Sequence, residues 1–205
     1  MSFLSELNMK RGSLNHTSTR VTTVEGKTIV EEMLHGQHLS QELPEKSPGF
    51  VVDTKPDLQV AEILPSHLYL GSQDVTQDAE LIKKHGITHI LSLGVRVPSL
   101  PHCPNLSYNF VPALDLPDES IDTILCTTLP LMEEILRKGG CLYVHCNAGV
   151  SRSPTVVIAY LIAHRGLSYG EASALVKERR PSTNPNPGFV KQLLAFEDKL
   201  KKNGT

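Results

Sequence analysis

The chain has 205 residues, of which 40% are hydrophobic and 20% charged, with a formal net charge of -2. A chain of this size can bury one core and carry an appendage, and its nearly balanced charge predicts no general affinity for nucleic acid or for an anionic membrane. No apolar run is long enough to span a bilayer, and the first six residues have neither the flanks of a secretion signal nor a glycine at the second position. We therefore expect a cytoplasmic protein, with the nucleus as an additional location.

The first 56 residues are mixed and polar, contain Pro44, Pro48 and Pro56, and show little helical periodicity. This composition predicts a flexible N-terminal leader over 1–56, followed by one folded domain over 57–205. A strand or a short helix over 21–31 is the alternative for part of the leader.

The folded domain alternates between strand and helix patterns. Apolar runs predict strands near 58–63, 67–71, 87–93, 106–112 and 141–145, and helical periodicity predicts helices near 75–85 and 121–138. Pro130 lies inside the second helix, where a proline costs about 3 kcal/mol, so we expect a break or a kink there, with a second helical segment opening at Pro130. Strands interleaved with helices indicate an α/β sandwich around a central sheet.

Three further helices are predicted after the strand at 141–145. The first covers 155–163, with Pro154 suited to its first turn and Gly166 beyond its end. The second begins at a capping box formed by Ser168 and Glu171. The last carries an apolar stripe at helical spacing, which predicts core packing for Phe189, Leu193, Phe196 and Leu200.

The junction between the strand at 141–145 and the helix at 155–163 reads Val-His-Cys-Asn-Ala-Gly-Val-Ser-Arg-Ser (144–153). Such a loop can turn its backbone N–H groups toward one centre at a helix N-terminus, where the helix dipole and the Arg152 guanidinium favour an anion. The same field favours the thiolate of Cys146 over the thiol, and the planar guanidinium can hold two phosphoryl oxygens. The pattern predicts a nucleophile at Cys146 and a phosphate-binding loop formed by Asn147, Ala148, Gly149, Val150, Ser151 and Arg152.

The spacing between Cys146 and Arg152 occurs once in the chain, because none of the other three cysteines has an arginine six residues later. The alternative is a buried structural cysteine with a surface arginine nearby. A zinc site at His145 and Cys146 would need a second ligand pair at metal spacing, and the sequence has none. We therefore expect no metal and no other cofactor.

The sequence His-Cys-x-x-Gly-x-x-Arg-Ser resembles the signature of the cysteine-dependent protein tyrosine phosphatases, in the form found in their dual-specificity branch. The resemblance extends from about residue 58 to the C-terminus through the segments Leu-Tyr-Leu-Gly-Ser (68–72), Ile-Thr-His-Ile-Leu-Ser-Leu (87–93), Ala-Tyr-Leu-Ile (159–162) and Arg-Arg-Pro-Ser-Thr-Asn-Pro-Asn-Pro-Gly-Phe (179–189). It implies a central, mainly parallel sheet of about five strands flanked by helices. It also implies covalent catalysis, in which Cys146 attacks phosphorus and water hydrolyses the cysteinyl-phosphate.

The resemblance also implies a proton donor for the leaving group in the loop 113–119, where Asp115 matches the position of the family's general acid. Asp118 is the alternative, since it lies one turn away in the same acidic loop. Acidic residues before a helix often only cap it, which fits Asp118 better than Asp115. Asp115 would protonate the leaving oxygen in the first step and take a proton from water in the second.

Three more residues receive roles by resemblance. The Ser153 hydroxyl could hydrogen-bond the sulfur and ease its departure, while also serving as a helix N-cap. His145 would orient the loop, or would be a satisfied core histidine. The family usually writes Ile-Leu-Asn-Val where this chain has Ser92, so a shorter side chain replaces an amide expected to brace the phosphate loop.

The leading functional prediction is a protein phosphatase acting on phosphotyrosine and phosphoserine or phosphothreonine. Its partners would be phosphorylated proteins, and the resemblance suggests MAP kinases or their activating kinases. A phosphoinositide phosphatase is less favoured because the side chains of 147–151 add no positive charge for extra phosphates. A noncatalytic phosphoprotein-binding scaffold would not need Cys146, Arg152 and Asp115 together. We expect a monomer.

Overall fold

The computed structural model describes residues 55–101 and 103–203, and three strands within 18–42. The chain divides into two compact units, Met1–Lys55 and Pro56–Thr205, and each is described by itself. None of the helices in these ranges combines the length and the apolar character needed to cross a membrane.

The first unit contains an antiparallel sheet in the order β1-β2-β3. Its strands are β1 (Ser18–Thr22), β2 (Thr28–Leu34) and β3 (Gln37–Glu42). The first two are rich in threonine, valine and isoleucine, whose branched β-carbons favour extended backbone. This sheet was not predicted from the sequence, although the alternative of a strand over 21–31 overlaps the end of β1 and the start of β2. The flexibility of the leader remains a prediction.

The second unit is a five-stranded sheet flanked by helices, with strand order β4-β5-β8-β6-β7. Only the β4–β5 pair is antiparallel, which confirms the predicted mainly parallel α/β fold. The strands are β4 (Ala61–Leu64), β5 (Leu68–Gly71), β6 (His89–Leu93), β7 (Ser107–Val111) and β8 (Leu142–His145). The helices are α1 (Ala79–Lys84), α2 (Ile121–Arg137), α3 (Arg152–Arg165), α4 (Tyr169–Arg179) and α5 (Pro187–Asn203), with a 3-10 turn at Asp74–Gln77 before α1.

The central strand β8 is buried along its whole length. Leu142 and Val144 belong to the larger core cluster, which includes residues of α2 and α3, while Tyr143 packs with Ile90 and Val75 in a smaller cluster. Side chains of a strand alternate between the two faces of its sheet, so a strand covered on both faces reads as a continuous apolar run. The carboxyl ends of β5, β8, β6 and β7 meet at one edge of the sheet, because these strands are parallel.

Three predicted elements differ from the structure. The helix expected over 75–85 is divided, because the Asp78 carboxylate caps α1 by accepting hydrogen bonds from the N–H groups of Glu80 and Leu81. The break or second segment expected at Pro130 is wrong, since α2 is continuous through it. Pro130 is exposed, and the buried face of the helix stays packed on both sides of it.

The third difference is at the start of the sheet, where β4 begins at Ala61 rather than near 58, and Leu58 is exposed. The capping box of Ser168 and Glu171 is confirmed at the start of α4, and Gly166 ends α3 in the left-handed region. The predicted apolar stripe of α5 is confirmed at Phe189 and Leu193, which are buried in the core, and at Phe196, which packs against it. The core packing predicted for Leu200 is wrong, because Leu200 is exposed.

Candidate active site

The loop that follows β8 lies at the carboxyl edge of the sheet and leads directly into α3. Cys146 is the first residue after β8 and is 2% exposed, whereas Asn147 and Ala148 are exposed. Gly149 has a φ of 66°, in the left-handed region, and a Cβ there would lie 2.3 Å from the carbonyl oxygen of Gly71. Only glycine allows the loop to pass this close to the end of β5.

Five successive carbonyl groups of the loop, from Cys146 to Val150, accept hydrogen bonds from protein groups outside it. The donors are Nδ1 of His145 for Cys146, the N–H of Gln73 for Asn147, the guanidinium of Arg180 for Ala148 and Gly149, and the N–H of Asn184 for Val150, at distances of 2.8 to 3.0 Å. In a trans peptide the C=O and the following N–H point in opposite directions. The described residues contain no cis peptide, so the N–H groups of 147–151 are turned away from these outer donors.

Arg180 is a buried residue of the site that the sequence analysis did not single out. Its side chain is completely buried, with Nε 2.9 Å from the Gly149 oxygen and Nη2 2.8 Å from the Ala148 oxygen. Asp57 pairs with the same Nη2 at 2.5 Å, and Gln59 accepts from Nη1 at 3.3 Å. Arg180 therefore connects the loop to the segment before β4. The Arg-Arg-Pro segment at 179–181 is the one feature of the sequence that points to it, but the segment alone does not indicate which arginine is buried.

Arg152 begins α3 and places its guanidinium beside the loop. Its Nη1 donates to the carbonyl oxygens of Leu93 and Ala113, each at 3.4 Å, so the ends of β6 and β7 hold it in place. Its Nε is buried and has no hydrogen-bond partner within the described residues. A buried N–H without an acceptor costs roughly 1–3 kcal/mol, and an anion bound in the loop would supply the missing acceptor.

The sulfur of Cys146 accepts a hydrogen bond from a buried side chain. Ser153 is completely buried, and its Oγ donates to the Cys146 Sγ at 3.3 Å. All four cysteines of the chain are free. Burial raises the pKa of the Cys141 thiol to about 11, which keeps that thiol protonated and unreactive at neutral pH.

The structure places the two candidate acids differently. Asp115 faces the loop, where its Oδ1 accepts hydrogen bonds from Ser151 Oγ at 2.7 Å and from Asn186 Nδ2 at 2.8 Å. Its Oδ2 lies 3.8 Å from Nε of Arg152. Asp118 is exposed and makes no hydrogen bond or ion pair within the described part of the chain. The geometry thus brings Asp115, and not Asp118, to the loop.

His145 and Ser92 form a buried pair behind Cys146. Burial lowers the pKa of His145 to about 4, so the imidazole is neutral at physiological pH. The Cys146 carbonyl can only accept, so Nδ1 carries the proton and donates to it at 3.0 Å. Nε2 then accepts from the Ser92 hydroxyl at 2.7 Å. Ser92 is therefore connected to the loop indirectly, by hydrogen bonds through His145.

The chain is similar in sequence to known dual specificity phosphatases. A family model described as dual specificity phosphatase, catalytic domain, matches residues 68–199. Mouse dual specificity protein phosphatase 19 is 38% identical over 197 residues, which cover 95% of this chain and 89% of the mouse protein. Human dual specificity protein phosphatase 14 is 37% identical over 137 residues, which cover 67% of this chain and 69% of that protein.

Solved structures give the same result. Human dual specificity phosphatase 28 is 36% identical with a TM-score of 0.64, over 70% of this chain and 95% of that one. A mouse putative dual specificity phosphatase complexed with zinc tungstate is 35% identical with a TM-score of 0.66, over 77% of this chain and 97% of that one. A human tyrosine phosphatase-like serine/threonine/tyrosine-interacting protein is 35% identical with a TM-score of 0.63, over 69% of this chain and 97% of that one.

Proposed function

The chain belongs to the dual specificity phosphatase family, and from this premise we propose that Cys146, Arg152 and Asp115 carry out its hydrolysis of phosphorylated proteins. The Cys146 thiolate attacks phosphorus while the bond from phosphorus to the leaving oxygen breaks. A protonated Asp115 gives its proton to that oxygen, and a cysteinyl-phosphate remains. Water then attacks the phosphorus, Asp115 takes a proton from the water, and the sulfur leaves as a thiolate.

One observation carries this proposal, namely the outward anchoring of the five loop carbonyls from Cys146 to Val150. It leaves the loop N–H groups free to donate to the phosphoryl oxygens. The Nε of Arg152, which makes no hydrogen bond within the described residues, adds a charged donor at the same place. Donors fixed before the reaction stabilise the charge of the transition state without reorganisation.

The remaining residues support these steps. Ser153 donates to the sulfur, and this hydrogen bond stabilises the departing thiolate in the second step. His145, held by Ser92, fixes the Cys146 carbonyl and thereby the first peptide of the loop. We assign both to support of the loop and the sulfur rather than to contact with the substrate.

The substrates we propose are phosphorylated kinases of the MAP kinase pathways or their activating kinases. The support for this choice is the family to which the chain belongs. A phosphoinositide substrate is less favoured, since the side chains at 147–151 carry no cationic group for additional phosphates. We propose that the protein acts as a monomer, because every group named in the site comes from one chain. Light scattering after gel filtration tests the oligomeric state.

The experiment compares the wild-type protein with Cys146→Ser on doubly phosphorylated kinase peptides. We expect release of phosphate to disappear in the variant while binding of the peptides persists, because the loop donors remain. Turnover by Cys146→Ser would refute the nucleophile, and loss of binding would refute the anion loop.

A second measurement does not depend on turnover. Tungstate is a tetrahedral oxyanion, and a similar mouse protein was crystallised with zinc tungstate. Sodium tungstate should protect Cys146 of the wild-type protein from alkylation and should leave the exposed Cys126 reactive. Equal protection of both cysteines would argue against binding at the loop.

The location we propose is the cytoplasm, with the nucleus in addition. A reaction that uses a free thiolate needs a reducing compartment, and the four cysteines are free. Fluorescence imaging of the tagged full-length chain tests this location, and a secreted product would contradict it.

A further inference from the structure

Arg96 lies close to the site but has no part in the proposed reaction. It follows Leu93, the last residue of β6, by three positions, so the two Cα atoms are at most about 10 Å apart. The Leu93 carbonyl accepts from Nη1 of Arg152, at 3.4 Å. Arg96 is thus at the same carboxyl edge of the sheet as the catalytic loop.

The guanidinium of Arg96 is stacked on an aromatic ring. Its Cζ lies 3.9 Å from the centroid of the Phe110 ring. Phe110 pairs in register with Ser92, whose hydroxyl is hydrogen-bonded to His145. The ring that carries Arg96 is therefore two strands away from His145, the residue that precedes Cys146, with β6 between them.

The charge of Arg96 is available to a ligand. Arg152 and Arg180 are held by backbone carbonyls or carboxylates of the protein. Arg96 is exposed and stacks on Phe110. Within the described part of the chain its side chain has no carboxylate partner and makes no hydrogen bond. Stacking on the face of a ring leaves the N–H edge of the guanidinium open.

We propose that Arg96, held flat on Phe110, forms a second anion subsite that binds an acidic group of the substrate next to the phosphorylated residue being hydrolysed. An extended peptide advances about 3.3 Å per residue, so a group two or three residues from the hydrolysed residue is displaced from it by about 7–10 Å along the peptide. The group is a phosphoryl or a carboxylate, because a planar guanidinium edge binds both. This inference rests on the proposed function, since it requires a phosphorylated residue in the loop.

The alternative is that Arg96 only covers Phe110 against water. The two explanations differ in their effect on substrate choice. A covering residue acts equally on all substrates, whereas an anion subsite acts only on substrates that carry the second charge.

The experiment measures kcat/KM on phosphotyrosine peptides of one sequence. A single position two or three residues before or after the phosphotyrosine carries phosphothreonine, glutamate or threonine. We expect the wild-type protein to prefer the phosphothreonine peptide over the threonine peptide by about three- to tenfold at one or more of these positions, with glutamate between them. In Arg96→Gln this preference should fall to less than about twofold, with the rate on the threonine peptide unchanged.

Two further variants separate the subsite from general effects. Arg165 lies with its Cζ 5.7 Å from the ring centroid of Tyr160, at the end of α3 far from the loop, so Arg165→Gln removes the same charge elsewhere and should keep the preference. Phe110→Leu removes the stacking ring and should reduce the preference while Arg96 remains.

The results that overturn the inference are specific. An unchanged preference in Arg96→Gln, an equal fall for all three peptides, or the same loss in Arg165→Gln would each reject the subsite. Failure of the wild-type protein to hydrolyse any of the peptides would instead reject the proposed function. A preference for glutamate equal to that for phosphothreonine would keep the subsite and identify a carboxylate as a sufficient ligand.

Discussion

Ser151 donates a hydrogen bond from its Oγ to Oδ1 of Asp115 at 2.7 Å, so the loop around Cys146 is tied to the loop that carries the acid. The same Oγ accepts from the backbone N–H of Asn186, at 3.1 Å. A hydroxyl that donates to one partner and accepts from another has a fixed direction. The carboxyl of Asp115 is thereby positioned by a residue of the phosphate loop.

This position predicts a difference between the two acidic residues of the 113–119 loop. Asp115→Asn should lower kcat on phosphotyrosine peptides by about 100-fold or more, because an amide cannot give the leaving oxygen a proton. Asp118→Asn should stay within about twofold of the wild type, since Asp118 is exposed and makes no hydrogen bond or ion pair within the described residues. The measurement is steady-state hydrolysis at the optimum pH of the wild-type protein.

The leaving group provides the control for this comparison. An aryl phosphate with a strongly electron-withdrawing phenol needs little protonation, so Asp115→Asn should lose much less activity on it than on phosphotyrosine. The reverse ranking of the two variants would transfer the acid role to Asp118.

Asn186 gives a second prediction, because its amide has two separate functions. Nδ2 donates to Oδ1 of Asp115 at 2.8 Å, and Oδ1 accepts from the N–H of Phe189 at 2.9 Å in the first turn of α5. Asn186→Asp keeps the helix-capping acceptor, removes the donor and places a like charge beside Asp115. We expect kcat on phosphotyrosine peptides to fall by about tenfold or more.

The stability of this variant separates positioning from folding. Asp and Asn cap helices almost equally well, so the free energy of unfolding at neutral pH should change by less than about 1 kcal/mol. The activated aryl phosphate should again be affected less than phosphotyrosine. An equal loss on both substrates would mean that Asn186 does not act through Asp115.

The chain order of these residues explains how much of the site was predictable. Cys146, Arg152 and the loop between them are contiguous, and the buried strand and the helix that flank them have clear periodicity, so local sequence was sufficient. Arg180 and Asn186 lie about 30 residues later, and their contacts with the loop depend on the packing of α4 and α5. No spacing rule predicts such a tertiary contact.

The fold, like the site, was predictable only where local sequence determines the structure. The mainly parallel sheet followed from the alternation of strand and helix patterns, and its central strands were located within about two residues. Pro130 was misread because the cost of a proline is local, whereas the packing of Ile124, Leu129 and Met132 holds α2 together across it. The sheet at 18–42 was missed because its strands carry polar residues and do not alternate cleanly.

Arg180 gives a third prediction, with its neighbour as the matched control. Arg180→Lys keeps the charge, but a single ammonium cannot replace the guanidinium contacts with Ala148, Gly149 and Asp57. The loop should lose its rigid geometry, and the affinity for tungstate, measured by protection of Cys146 from alkylation, should fall by about tenfold.

Arg179 is exposed, so Arg179→Lys should keep the wild-type affinity within about twofold. Circular dichroism should show the same helix content in both variants. An unchanged tungstate affinity in Arg180→Lys would show that the outer anchoring of the loop does not determine anion binding.

The buried His145 predicts a dependence of stability on pH. Its pKa is lowered to about 4 by burial, against about 6.5 in an unfolded chain. Between these values the unfolded state binds a proton that the folded state does not, so the free energy of unfolding falls as the pH is lowered from about 6.5 to about 4. The contribution of this one residue is on the order of 3 kcal/mol across that window.

The variant His145→Gln isolates this contribution, because carboxylates with lowered pKa, such as Glu134 and Glu171, also weaken the fold in acid. A glutamine cannot titrate, and its amide can still donate to the Cys146 carbonyl and accept from Ser92. Urea unfolding of both proteins at several pH values should give curves that converge as the pH falls, since only the wild-type protein loses the histidine contribution. Parallel curves between pH 6.5 and 4 would mean that His145 takes up its proton in the folded protein over the same pH range as in the unfolded chain. Both ring nitrogens would then donate, and the Ser92 hydroxyl would accept from Nε2.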